Sequence, residues 1–153
     1  MQMPIYRWKK SVNKPSIAMS NSIKYLPDTN TILRYLLQDH PELSSRAADF
    51  WNDVRNGAKR AVLTEGVLLE CVYVLQRFYK VPRDTISEIL SALLVYKGVE
   101  CSDGTLVQES LSLYGTCSLD FVDCMLAIRH TRQEGILFSF DEKLCRLAEQ
   151  RRV

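Results

Sequence analysis

At 153 residues the chain has the size of one domain and is long enough to bury a core. With 46% hydrophobic and 25% charged residues it is neither disordered nor collagen-like, and no apolar run reaches the roughly 18 residues a membrane span needs. Net charge is +2, but Arg7, Lys9, Lys10 and Lys14 lie in the first 22 residues, which hold no acid; the rest sets 16 of the 20 basic residues against all 18 acids, a balance of −2. A chain that only grips nucleic acid would carry a basic excess in its folded part, whereas a nuclease whose acids are screened by metal need not. Residues 1–22 are expected to be a disordered basic arm, or a start-site artefact with Met19 as the true beginning. Residues 23–153 are expected to form a single domain.

Residues 23–28 read as a short strand and 30–38 as a helix, ended near His40-Pro41 because a residue before proline avoids the α region. Residues 42–57 read as a helix closing at Gly57. AVLT, 61–64, reads as a short buried strand. EGVLLECVYVLQRFYK, 65–80, is apolar at 67, 68, 71, 72, 74, 75 and 78, a largely buried helix. Pro82 opens a helix over 83–96, with Ile86, Ile89, Leu90, Leu93 and Leu94 on one stripe. VECS, 99–102, is a third strand candidate, followed by a helix at 103–114 and another at 118–135 that ends at Gly135. ILFSF, 136–140, reads as a fourth strand and 142–150 as a last short helix. Short apolar strands alternating with helices predict an α/β fold with a parallel sheet covered on both faces. In such sheets the ligand site lies beyond the carboxyl ends of the strands.

Five cysteines, Cys71, Cys101, Cys117, Cys124 and Cys145, form no C-x-x-C pair and are joined by only two histidines, His40 and His130. This count argues against a zinc site and for reduced thiols in a cytoplasm.

The informative residues are acids placed where a surface does not need them. Asp28 and Asp141 follow predicted strands directly, and each is also a good helix N-cap. Glu70 stands in VLLECVYVL with no other charge from Val67 to Leu75. It lies either on one narrow wet stripe or in a place where a bare carboxylate needs a partner or a metal. Asp120 and Asp123, three apart, share a helix face near its positive end. Together these are four or five carboxylates at one edge of the predicted sheet, which would repel one another unless a cation neutralised them. Oxygen-only ligands point to Mg²⁺ or Mn²⁺, and two such ions about 4 Å apart can clamp an in-line phosphoryl displacement.

With these motifs the chain resembles a PIN domain, and most of all the VapC-type toxins, ribonucleases of bacterial toxin–antitoxin pairs. The resemblance covers about residues 23–148. It rests on DTNTILRYLL at 28–37, the Glu of GVLLECVYVLQRFY at 66–79, DFVDCMLAIRH at 120–130 and FSFDEKL at 138–144. It implies a three-layer α/β/α sandwich with a central parallel sheet of four to five strands, and Mg²⁺- or Mn²⁺-dependent hydrolysis of RNA, tRNA included. Asp28, Glu70, Asp123 and Asp141 match the catalytic, metal-holding acids. Asn30, Asp120 and Ser139 match supporting positions, Ser139 standing where threonine is frequent. Pro27 departs from the pattern, because the residue before the first Asp is usually aliphatic and proline removes an N–H from the strand. The resemblance further implies a homodimer and an antitoxin partner, for which the stripes Leu33, Leu36, Leu37 and Leu90, Leu93, Leu94 serve either as contacts or as core. Arg34, Lys80, Arg83, Arg129, Arg132 and Lys143 are candidate phosphate contacts or a solvated face. A catalytically weak PIN-like module that binds RNA or protein is the alternative. A phosphatase would want an acid where Asn30 stands, and for a receiver domain Lys143 falls too late.

Overall fold

A computed structural model describes residues 23–152; the expectation for the basic arm lies outside them. In chain order the elements are β1 (Lys24–Tyr25), α1 (Thr29–Leu37), α2 (Pro41–Asn56), β2 (Arg60–Val62), α3 (Glu65–Arg77), α4 (Arg83–Leu94), β3 (Val99–Glu100), α5 (Gly104–Thr116), α6 (Phe121–Thr131) and α7 (Glu142–Gln150). The described residues fall into two compact units, 23–71 with 93–102, and 72–92 with 103–152. No helix among them is long and apolar enough to cross a membrane.

The first unit holds the sheet. Its order is β1-β2-β3, all parallel, with Tyr25 opposite Ala61 and Ala61 opposite Val99. Parallel neighbours need crossover connections, and helices supply them. The sheet has three strands, fewer than the four to five expected. β1 stops at Tyr25, two residues before Pro27, which has no N–H to extend a ladder.

Helix α1 begins where Asp28 caps it and ends at Gln38, which takes a left-handed φ of 52°. His40 caps α2 by accepting from the N–H of Leu43, Pro41 fits the first turn, and Gly57 closes it at φ 82°. Ile32, Leu33, Tyr35, Leu36 and Leu37 pack inward from α1, with Trp51 and Val54 from α2. Trp51 donates its indole N–H to the carbonyl of Thr31 at 3.3 Å, and the Tyr35 and Tyr96 hydroxyls meet at 3.0 Å. These three aromatics thus enter the core with their polar ends satisfied. Across the three strands Glu100 bridges Lys24, at 2.8 Å, and Arg60. Both cations hold its carboxyl below the usual range, Lys24 chiefly.

Gly98 joins α2 to the sheet. Its N–H donates to Val54 O at 2.9 Å and its carbonyl accepts from Ala61 N at 2.8 Å. A Cβ there would lie 2.0 Å from Lys59 O and 2.7 Å from Val54 O.

The second unit is helical. Ile86 and Leu90, Leu106, Val107 and Leu111, Phe121, Ala127 and Ile128, and Leu144 and Ala148 form its core. Leu90 and Leu93, like Leu33, Leu36 and Leu37, are therefore core rather than docking surface, while Leu94 is half-buried. Ser87 donates to Leu111 O at 2.6 Å where Gly115 lets the chains approach, since a Cβ at 115 would lie 2.9 Å from that of Ser87.

Two expectations fail in this unit. The helix foreseen over 118–135 is shorter, because Asp120 takes an extended N-cap conformation and Gln133 takes φ 60° just after the helix. The fourth strand at 136–140 is not formed. Ile136, Phe138 and Phe140 are about nine-tenths exposed, and the N–H of Leu137 goes to His130 Nδ1 at 3.2 Å instead of a ladder. An apolar run has the composition of a strand, but a strand exists only where its backbone groups find an edge to pair with.

Candidate functional site

In the first unit the acid junction of the sequence acts first as a cap. Asp28 Oδ1 accepts from the Thr31 N–H at 2.9 Å and from the Thr31 hydroxyl at 2.8 Å. These bonds, the main-chain one first, hold the Asp28 carboxyl below the usual aspartate range. Both fall on one oxygen. Asn30 is exposed and adds its backbone N–H, so Thr31, not the Asn30 side chain, orients Asp28. The signal was in the sequence: an acid followed three residues later by threonine is a cap with two donors at its third position.

Glu70 is exposed, so α3 does have the wet stripe that was one of its two readings. It is nevertheless held: the hydroxyl of buried Thr29 donates to Glu70 Oε2 at 2.5 Å. One residue of α1 and one of α3, 41 apart in sequence, are thereby joined at their charged faces. Sequence reasoning missed Thr29, whose only signal is a second threonine in DTNT. Burial and then the charges of Glu70 and Asp28 push the thiol of neighbouring Cys71 up to about 12, so it is an inert core group. A cavity of about 490 Å³ between α1 and α2 opens beside Asp28. Asn30, Thr31, Arg34, Arg46 and Phe50 line it. Arg34 is tied to Asp39 at 2.6 Å, and Arg46 is exposed.

In the second unit Asp123 stands near enough to Asp120 and Asp141 to feel their charge. Asp120 occupies the N-cap of α6 yet makes no side-chain capping bond. Asp123 sits in the first turn, and its carboxyl is pushed above the usual range, by burial first and then by Asp120 and Asp141. Asp141 caps α7 through Oδ1, accepting from Lys143 N at 2.8 Å and Leu144 N at 3.1 Å. Ser139 Oγ accepts from the Asp141 N–H at 3.0 Å and so fixes the turn that presents it. Among the described residues no three His, Cys, Asp or Glu side chains are gathered at the spacing of a metal cage.

Arg83 positions this loop. It lies 3.7 Å over the Tyr114 ring, donates to Tyr114 O at 3.1 Å and also donates to Leu119 O, the carbonyl just before Asp120. Arg129 and Arg132 are engaged with Asp103, Glu109 and Glu134. Arg34, Arg83, Arg129 and Arg132 are thus in internal bonds or ion pairs, while Lys80 and Lys143 are exposed. None of the five cysteines is joined in a disulfide. Cys117 and Cys124, which bracket Asp120 and Asp123, have their sulfurs 3.5 Å apart.

The chain matches the PIN-domain family over residues 25–150. It is 23% identical over 104 residues to a VapC ribonuclease of Aquifex aeolicus (strain VF5), a match covering 68% of this chain and 76% of that protein. No solved structure matches it significantly. The family's α/β/α class agrees with the mixed helices and parallel sheet seen here, and its span contains Asp28, Glu70, Asp120, Asp123 and Asp141. The chain belongs to the PIN-domain family.

Proposed function

We propose that the protein is a divalent-metal-dependent endoribonuclease, the toxin of a toxin–antitoxin pair, with Asp28, Glu70, Asp123 and Asp141 as its metal-holding acids. The observation that carries this reading is Asp123, whose carboxyl is pushed above the usual range by burial first and then by the like charges of Asp120 and Asp141. A hard cation would relieve it, and the donor set, oxygen only, suits Mg²⁺ or Mn²⁺. Asp28 and Asp141 each spend one oxygen on a cap, which leaves the second for a cation. The bound metal would supply a water of lowered pKa and offset the charge that develops on phosphate. The protein's part is placement. Thr31 fixes Asp28, Thr29 holds Glu70, and Ser139 and Arg83 shape the turns before Asp141 and Asp120. The cavity beside Asp28, with exposed Arg46 and half-buried Phe50, suits the phosphate and base of a nucleotide next to the cleaved bond. We further read residues 23–153 as one PIN domain, since the family match runs through both units, and the protein as a cytoplasmic homodimer restrained by an antitoxin. The likeness to a VapC ribonuclease supports ribonuclease activity, with tRNA among the candidate targets.

The test is cleavage of a total RNA pool by purified, partner-free protein with Mg²⁺ or Mn²⁺, with EDTA, and with Asp28→Asn and Glu70→Gln. Discrete fragments are expected that vanish with EDTA and fall by about 100-fold or more in each variant. Intact RNA in every lane, with the protein folded and binding Mn²⁺, would favour a second reading, a PIN-like module that binds RNA or protein without cutting. Pro27 favours that reading, because β1 ends two residues before it.

A further inference from the structure

We propose that Cys117 and Cys124 are a modification site: a thiol pair that peroxide converts to a disulfide, closing a ring around Asp120 and Asp123. Eight residues, CSLDFVDC, carry both thiols and both acids. Cys117 is the C-cap of α5 and Cys124 lies in the first turns of α6. Their sulfurs are 3.5 Å apart, against about 2.05 Å for a bonded pair, so one short approach separates the reduced from the oxidised form. Cys117 is half-buried and so the more open of the two to oxidant, while Cys124 is buried. Cys71 is buried, and the thiol of Cys145 donates to Ser139 O at 3.6 Å.

The chemistry balances with hydrogen peroxide as oxidant. The Cys117 thiolate attacks one peroxide oxygen, the O–O bond breaks, and hydroxide leaves and takes a proton to become water. The resulting sulfenic acid is attacked by the sulfur of Cys124, which loses its proton as the S–O bond breaks and a second water departs. Two thiols give up two electrons and two protons, and one peroxide becomes two waters.

Closing the bond draws the start of α6 toward the end of α5. Asp123 is the residue before Cys124, and a displacement of about 1 Å at a reacting group costs on the order of 100-fold in rate. Oxidation therefore switches the acid pair out of register. The consequence for cleavage rests on the nuclease reading; the formation of the bond does not.

The full chain would be treated with hydrogen peroxide, then with dithiothreitol, beside Cys117→Ser. Intact mass and fragment mapping should show loss of two hydrogens and a 117–124 link in the wild type, reversed by dithiothreitol and absent in the variant. Mn²⁺ binding, followed by titration, should weaken about tenfold or more on oxidation, and metal-dependent RNA cleavage should fall by at least as much. Links through Cys101 or Cys145, or sulfinic acid without a link, overturn the proposal. So does a 117–124 link that leaves Mn²⁺ affinity unchanged. If the reduced protein binds Mn²⁺ but cuts no RNA, the nuclease reading fails alone, and mass and Mn²⁺ affinity still decide the thiol pair.

Discussion

Thr29 and Glu70 form the contact by which a single side chain sets the place of an acid proposed to hold metal. Replacing Thr29 with Val keeps the shape and deletes the hydroxyl. Because Glu70 is exposed and water can replace the lost donor, the expected loss is about 0.5–1.5 kcal/mol in urea unfolding, with a larger proportional loss of metal-dependent cleavage. Thr29→Ser should restore both; a variant with wild-type cleavage would reduce the bond to a structural tie. Asp123 behaves oppositely. Its folded-state pKa is raised, so its ionisation costs stability: the contribution to folding is favourable while the group is protonated and is lost as pH rises through the folded value. In EDTA at neutral pH, Asp123→Asn should therefore stabilise the protein, by roughly 0.5 kcal/mol or more, while abolishing cleavage. Mn²⁺ should raise the melting temperature of the wild type and not of the variant. The acids themselves were legible in the sequence because each interrupts an apolar pattern. Their holders were not. Thr29, Thr31 and Arg83 are ordinary residues whose role depends on which carboxylate or carbonyl the fold brings to them.

Helices were read well at this level because their apolar spacing and stop signals are local; Asp28, His40-Pro41, Gly57 and Asp141 bound them in the structure as in the sequence. Strands were read less well. ILFSF has the composition of a buried strand, but pairing is decided by distant partners, and Leu137 finds His130 instead. The strand expected over 23–28 is only two residues long, and it ends before Pro27, which has no N–H to give a ladder. Within α3, Gly66 has nothing within 4 Å of where a Cβ would stand. Gly66→Ala should stabilise the helix by about 0.5–1 kcal/mol, visible as a higher denaturant midpoint with an unchanged slope. Arg83→Met should cost about 2 kcal/mol, since it strips donors from two part-buried carbonyls of the loop that leads to Asp120. It should lower cleavage at temperatures where the variant is still folded, and unaltered cleavage would show that the loop holds its shape without the guanidinium.

At the scale of the whole molecule, charge is the available lever. Asp28 and Glu100 both have depressed folded-state pKa values, so their contribution is fully present above the unfolded carboxylate range and is lost as pH falls through the folded values. The metal-free protein should lose melting temperature steeply below about pH 4, and less steeply in Glu100→Gln. The sixteen basic residues beyond position 22 are outnumbered by acids, so the +4 of residues 1–22 is the chain's largest local basic excess. If those residues contact RNA, deleting them should flatten the log–log dependence of RNA affinity on salt by up to roughly 3, the slope for four phosphate contacts to a single strand; an unchanged slope would exclude them from binding. Gly98 has a bearing on evolution rather than on chemistry. Backbone oxygens of Lys59 and Val54 occupy the space any other residue's Cβ would need, and neither is the movable end of a side chain. In a library of all substitutions, the acids would tolerate replacement wherever selection ignored activity. Position 98 would stay empty under selection for folding alone, and its glycine should outlive the loss of the nuclease in any lineage that kept the fold for another use.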